Sequence, residues 1–279
     1  MKPRQLTLGH SPDPDDAFMF YGLAAGKVDT RGWTFEHVLQ DIQTLNERAT
    51  RGELDITAIS IHAYPFVADR YALTSCGSSM GDGYGPIVVA RHTMSVESLR
   101  GKSIAVPGER TTAFLALNLL LGRGAFRHQV VMFDRILTLV AEGHADAGLI
   151  IHEGQLTYQN HKLHKIVDLG EWWKSTTGLP LPLGGNVIRR DLGSEAMREI
   201  SGVLRESIEF SLAHREEAVQ HALAYARDMG KDLADRFVGM YVNEWTIDYG
   251  EVGRRAIREL LRRGHEIGMV PWVEHVDFV

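Results

Sequence analysis

The chain has a single cysteine, Cys76, among its 279 residues, so it can form no disulfide within itself and no thiolate metal cluster. No stretch approaches the roughly 18 consecutive apolar residues that a membrane-spanning helix needs, and no span is expected. Lys and Arg number 30 against 36 Asp and Glu, no cluster of them stands out, and the net charge is −6, which argues against a nucleic-acid partner. Walker loops and Gly-x-Gly-x-x-Gly signatures are missing too, so nucleotide binding has no motif behind it. His161-Lys162-Leu163-His164 lacks the spacing of a zinc-protease motif and reads as a solvated loop. No metal is expected. Met1 to His10 is basic, has no apolar leader segment and runs directly into a strand, so a cytoplasmic protein is expected.

What is present is an ordinary globular composition, 44% hydrophobic and 24% charged, at a length suited to two domains. Short β-like runs alternate with helical patterns: a strand at Leu6 to Gly9, then a helix near Asp15 to Ala25 stopped by Gly26. Asp41 caps a second helix ending before Gly52, and Ile56 to Ser60 forms the next strand. Ala72 to Cys76 and Pro86 to Ala90 read as further strands. The pattern restarts at Lys102 with a strand at Ser103 to Val106, a helix from Thr111 to Leu121 and a strand at Gln129 to Phe133. A helix capped by Asp134 and a buried strand at Asp146 to Ile151 follow. After Gly184-Gly185-Asn186-Val187-Ile188-Arg189-Arg190, nearly everything is helical. Ile200, Val203, Leu204, Ile208 and Leu212 make one apolar face that needs an earlier sheet to cover it. The expected organisation is therefore a discontinuous first lobe, residues 1–90 plus 189–279, with a second lobe at 91–188 inserted. Two crossings and a cleft would lie between them.

In open α/β sheets, ligands bind beyond the carboxyl ends of strands, which draws attention to His152 directly after the buried strand. An imidazole delivered there can exchange a proton near neutral pH, although a hydrogen-bonded structural histidine is the plainer alternative. At Gly108-Glu109-Arg110-Thr111-Thr112-Ala113, a strand-to-helix turn offers backbone N–H groups to an anion, or simply a threonine cap. Ser11-Pro12-Asp13-Pro14-Asp15-Asp16 occupies the matching turn of the first lobe. Its acids suit a helix N-terminus and would repel an anion, so capping is the expectation for Asp15 and Asp16. Gly77-Ser78-Ser79-Met80-Gly81 fits the Gly-x-Ser-x-Gly nucleophile elbow in letters. The following Asp82-Gly83-Tyr84-Gly85-Pro86 cannot start the helix that motif requires, which leaves a glycine-rich link between strands.

Several of these segments together resemble the 1,4-dihydroxy-6-naphthoate synthase family of the futalosine route to menaquinone. Ser11 to Phe18 is similar to the family's Ser-Pro-Cys-Pro-Asn-Asp-Thr-Phe opening. Val106 to Ala113, Asp134 to Leu137, Gly148-Leu149-Ile150-Ile151-His152-Glu153, Val167 to Trp173 and Thr177 to Gly184 match as well. The likeness runs in order from about residue 5 to the C-terminus. It implies a two-lobed α/β fold like the type 2 periplasmic binding proteins, used as a carbon–carbon lyase acting on cyclic dehypoxanthinyl futalosine without a cofactor. Within that resemblance His152 is the proton acceptor, and substrate contacts fall on Ala58, Ile59, Ser60, Thr112 and Ala113. The ligand is then a small anion. The sequence departs from the family where Asp13 replaces Cys and Asp15 replaces Asn. Ala58-Ile59-Ser60 differs from a relative's Lys-Leu-Ser, so Ser60 carries over most directly, and Ala58 and Ile59 offer only backbone or apolar contacts. Two rival readings are a chorismate dehydratase of the same pathway, distinguished by the Ile-Ile-His-Glu run, and a non-catalytic solute-binding protein of the same fold. Oligomeric state is not readable from the sequence.

Overall fold

Backbone pairing sorts the strands into two sheets. The structure, a computed structural model, describes residues 4–226 and 230–279, so the first three residues of the opening segment lie outside it. In chain order the strands are β1 (Arg4–His10), β2 (Trp33–Leu39), β3 (Ile56–Ser60), β4 (Tyr71–Leu73), β5 (Ser79–Gly81), β6 (Ile87–Ala90), β7 (Ser103–Val106), β8 (Arg127–Val130), β9 (Ala147–Ile150), β10 (His164–Asp168) and β11 (Leu181–Arg189). The first sheet has the order β2-β1-β3-β11-β4, with β5 paired to β11, and the second has the order β10-β6-β9-β7-β8. Strand β1 runs parallel to β2 and β3, and β7 runs parallel to β8 and β9. The long β11 returns antiparallel to β3. Parallel strands end on a common edge, so the chain leaves β1 and β3 on one side of the first sheet, and β7 and β9 on one side of the second.

Local chemistry accounts for the elements that fix those exits. The helix Ile42–Arg51 starts where the Asp41 carboxylate accepts the Thr44 N–H, and stops at Gly52, whose φ of 69° suits a residue without a Cβ. The helix Thr112–Leu121 is capped by the Thr111 hydroxyl, which accepts the Phe114 N–H. All five residues of β3 are buried, as a central strand requires. The helix Ser194–Ala213 lays Ile200, Val203, Leu204 and Ile208 against Leu6, Leu8, Ile56 and Ile188 of the first sheet, together with Phe18 and Met19.

Pairing also moves the crossings between sheets. The expected boundaries at residues 90/91 and 188/189 leave β6 with the first lobe and most of β11 with the second. Their hydrogen bonds assign them the other way, because β6 pairs with β9 and β10, and β11 pairs with β3, β4 and β5. The chain therefore crosses between Gly81 and Ile87, and again just before Leu181. Smaller differences follow from edges and caps. Strand β2 was not anticipated, and the strand expected at Gln129 to Phe133 lies instead at Arg127–Val130, largely exposed at a sheet edge. The first helix divides at Phe20 into Pro14–Met19 and Tyr21–Ala24. Asp134 lies inside a short 3-10 turn, and the helix Ile136–Ala141 has no side-chain cap.

Candidate active site

The strand exits of both sheets converge on one cavity of about 120 Å³. Ala58, Ile59 and Ser60 reach it from the end of β3, and Thr112 and Ala113 from the start of the helix Thr112–Leu121. These five residues, expected at the site from the sequence, share its wall. His152 does not line it. Its neighbour Ile151, one residue past β9, does.

Ser60 is held by the buried Asn46 side chain: Asn46 Oδ1 accepts the Ser60 N–H at 2.8 Å, and Asn46 Nδ2 donates to Ser60 Oγ at 3.1 Å. Its hydroxyl proton remains available to a ligand. The Thr112 hydroxyl is already engaged, accepting the His62 N–H at 3.1 Å and donating to the Leu183 carbonyl at 2.6 Å. Any contact from Thr112 to a ligand therefore uses its backbone N–H. As the first two residues of a helix, Thr112 and Ala113 have N–H groups without intrahelical acceptors, and the Thr111 cap serves Phe114 instead. Two such groups at a helix N-terminus suit a carboxylate.

His152 is 6% exposed and bonded at both ring nitrogens. Nε2–H donates to the Phe133 carbonyl at 2.9 Å, and Nδ1 accepts the Gly154 N–H at 3.0 Å. A carbonyl only accepts and an N–H only donates, so the ring is neutral with its lone pair on Nδ1. Glu153 Oε2 lies 3.5 Å from that nitrogen, and the Phe133 ring meets the imidazole edge-on at 5.3 Å.

The acids expected from the sequence to cap a helix face the cavity instead. Asp13, Asp15 and Asp16 all line the cavity. Asp13 occupies the N-cap position of the helix Pro14–Met19 but makes no side-chain cap hydrogen bond; its carboxylate accepts from the Ser11 hydroxyl. Asp16 Oδ2 accepts the Ser11 N–H at 2.6 Å. Burial pushes the Asp16 carboxyl up to about 7, opposed by that N–H and reinforced by the charge of Asp13. Asp15 is held well above the usual carboxylate range by burial first, then by Asp16 and Asp13. The signal was present in the run Ser-Pro-Asp-Pro-Asp-Asp at a strand-to-helix turn, three acids being more than one short helix can use. Tyr241 and Asn186 also face the cavity and were not anticipated. The Tyr241 hydroxyl donates to Gln155 Oε1 at 2.7 Å across the lobes, and burial raises its ionisation beyond the ordinary phenol range. Gly77 and Ser79 of the elbow-like run line the cavity as part of a strand link, with no helix after them. Among the described residues, no group of three or more His, Cys, Asp or Glu is arranged to hold a metal ion.

Comparison with known proteins places this geometry. The family described as Menaquinone biosynthesis matches residues 6–266. A 1,4-dihydroxy-6-naphthoate synthase of Thermus thermophilus is 43% identical over 264 residues, covering 95% of both chains. The enzyme of the same name from Streptomyces coelicolor is 40% identical over 275 residues, 97% of this chain and 96% of that one. A crystal structure of a protein from Archaeoglobus fulgidus superposes with a TM-score of 0.92 at 44% identity, covering 97% of this chain and 100% of its own. The alkanesulfonate-binding protein of Xanthomonas axonopodis pv. citri, solved with MOPS, gives a TM-score of 0.71 at 13% identity, covering 98% of this chain and 96% of that one. That likeness establishes the periplasmic-binding-protein-like fold expected from the sequence, and only the fold.

Proposed function

The chain belongs to the menaquinone-biosynthesis family that includes the 1,4-dihydroxy-6-naphthoate synthases, and on that premise we propose that it is a lyase converting cyclic dehypoxanthinyl futalosine to 1,4-dihydroxy-6-naphthoate. The observation that carries the reading is identity of 40–43% to two enzymes of that name over almost the whole chain. The cavity at the strand exits supports it, since a site of that kind is where this architecture handles small molecules. The reaction needs no cofactor in this reading, and the cytoplasm is its place.

In the proposed site the substrate carboxylate meets the N–H groups of Thr112 and Ala113, while Ser60, Ala58 and Ile59 form the facing wall. His152 takes a carbon-bound proton from the sugar-derived part of the substrate onto Nδ1. The electron pair left behind breaks the carbon–carbon bond to that fragment and completes the aromatic naphthoate. Proton uptake at Nδ1 displaces the Gly154 N–H, so the turn after β9 must shift to bring the ring to the cavity. Glu153, 3.5 Å away, then faces an imidazolium and stabilises it. One observation favours a second base. Asp16 already faces the cavity, and a carboxyl near 7 is matched to proton transfer at neutral pH.

The test offers the purified protein cyclic dehypoxanthinyl futalosine and chorismate separately, and identifies the products. Naphthoate from the first alone supports the assignment. Dehydrated chorismate, or tight binding without turnover, would replace it with one of the rival readings. His152→Ala should then lower turnover by about 10²–10⁴-fold while product binding persists. Near-normal turnover in His152→Ala beside a dead Asp16→Asn would transfer the role to the carboxylate.

A further inference from the structure

Asn186 is a donor waiting for an acceptor. It lies in β11 opposite Ala58 of β3, is 1% exposed and forms part of the cavity wall. Its Nδ2 has no hydrogen-bond partner. Its own carbonyl is engaged, accepting the Thr74 N–H at 2.9 Å and the Thr74 hydroxyl at 3.1 Å. The amide lies so close over Gly77 that a Cβ there would come within 2.0 Å of Nδ2, and Gly77 itself holds a φ of 78°. A bare, left-handed backbone position thus makes room for a buried amide that donates to nothing in the protein. Such groups weaken a fold, and they persist where a ligand supplies the missing partner.

The charge pattern of the cavity indicates which partner. Asp13, Asp15 and Asp16 present carboxyl groups on the first-lobe side, whereas the second-lobe side presents the N–H groups of Thr112 and Ala113. The Asp13 carboxylate repels an anion, all three carboxyl groups offer oxygens that accept from hydroxyls, and a helix N-terminus favours the anion. A ligand with a carboxylate at one end and aliphatic hydroxyls at the other satisfies both sides in one orientation only. We propose that Asn186 Nδ2 is a substrate-positioning donor that, with the first-lobe acids, holds the hydroxylated, sugar-derived end of the substrate, leaving its carboxylate at the start of the helix Thr112–Leu121. The amide donates to a hydroxyl oxygen whose proton is directed at a carboxyl oxygen of the first-lobe acids. This inference rests on the lyase reading above and adds the direction in which the substrate lies.

The test compares two constants in the full-length protein: KM for cyclic dehypoxanthinyl futalosine, and the inhibition constant of 1,4-dihydroxy-6-naphthoate, which has lost the sugar-derived part. Asn186→Leu, close in size, and Asn186→Ala should each raise KM about three- to tenfold, the loss of one neutral hydrogen bond, and leave the product constant unchanged. Thermal melting reports that the variants are folded. A substrate analogue lacking the aliphatic hydroxyls, given to the wild-type protein, should lose a similar factor, and this arm needs no variant. If both constants rise together, Asn186 only shapes the wall. If neither moves and the deoxy analogue binds as well as the substrate, the amide meets water alone. Either result overturns the inference while the lyase reading stands. A wild-type protein that makes no naphthoate removes the lyase reading itself.

Discussion

Asp16 shows how a residue can be read correctly for place and wrongly for purpose. Its position at a strand-to-helix turn was legible, and so was the expectation that acids at a helix start act as caps. The helix Pro14–Met19 is one and a half turns long, and no acid side chain caps it. The carboxyls face the cavity instead, and a sequence cannot show which side of a turn a short side chain takes. A raised folded pKa has a defined consequence for stability. Between the ordinary carboxyl value of 3.8 and the folded value of about 7, the folded chain holds a proton that the unfolded chain has released. Stability from this group is therefore present at low pH and lost as pH rises through that window. Asp16→Asn keeps an acceptor for the Ser11 N–H and removes the buried charge. It should stabilise the protein by on the order of 2–4 kcal/mol at pH 8, with the gain vanishing near pH 4. Urea unfolding of both proteins at several pH values measures this. A difference independent of pH would mean that Asp16 is not held protonated by burial.

At the scale of elements, the helix Ile42–Arg51 carries more of the site than its surface-like sequence suggests. Its ends were readable because they rest on local chemistry: Asp41 before the first turn, and Gly52 after the last. Its cargo was not, because Asn46 reaches Ser60 and the Arg110 carbonyl, while Gln43 Oε1 accepts the Arg110 N–H at 3.1 Å across the lobes. Long-range polar pairs leave no periodic trace. The edge strands β2 and β8 were hard to place for a related reason, since half-exposed positions blur the alternation that marks a strand. Two substitutions separate frame from cargo. Asp41→Ala should cost about 1 kcal/mol of stability through the lost cap and leave KM nearly unchanged. Asn46→Ala leaves the buried Ser60 N–H without its acceptor, which costs about 1–3 kcal/mol, and should raise KM as β3 loses its fixed end. Denaturant midpoints and steady-state kinetics on the same samples distinguish them. Equal effects on KM would show that the helix acts only as a unit.

For the molecule as a whole, the cavity is too small for its proposed task as it stands. Ligand sites for molecules of this size enclose roughly 300–1,000 Å³, against about 120 Å³ here, and parting of the lobes is the expected way to make that room. The two chain crossings, between Gly81 and Ile87 and just before Leu181, permit a hinge. Sequence reasoning reached the two-crossing plan from the restarted pattern and the helical tail, but missed the positions by several residues because hydrogen-bond pairing assigns a strand to its sheet. What holds the lobes together is specific. The Thr112 hydroxyl bridges the His62 N–H and the Leu183 carbonyl, both from the first-lobe side, and the Tyr241 hydroxyl reaches Gln155 of the second. Thr112→Val keeps the shape and the backbone N–H proposed to bind the carboxylate, but leaves two buried backbone groups unpaired on closing. Each unpaired group disfavours the closed form by about 1–3 kcal/mol, while the open form lets water satisfy both. Ligand-free Thr112→Val should therefore show a larger radius of gyration than wild type by small-angle X-ray scattering. It should bind 1,4-dihydroxy-6-naphthoate more weakly, by the fraction of molecules left open, and return to the wild-type radius once saturated. A radius equal to wild type with and without product would show that this hydroxyl does not set the balance between open and closed lobes.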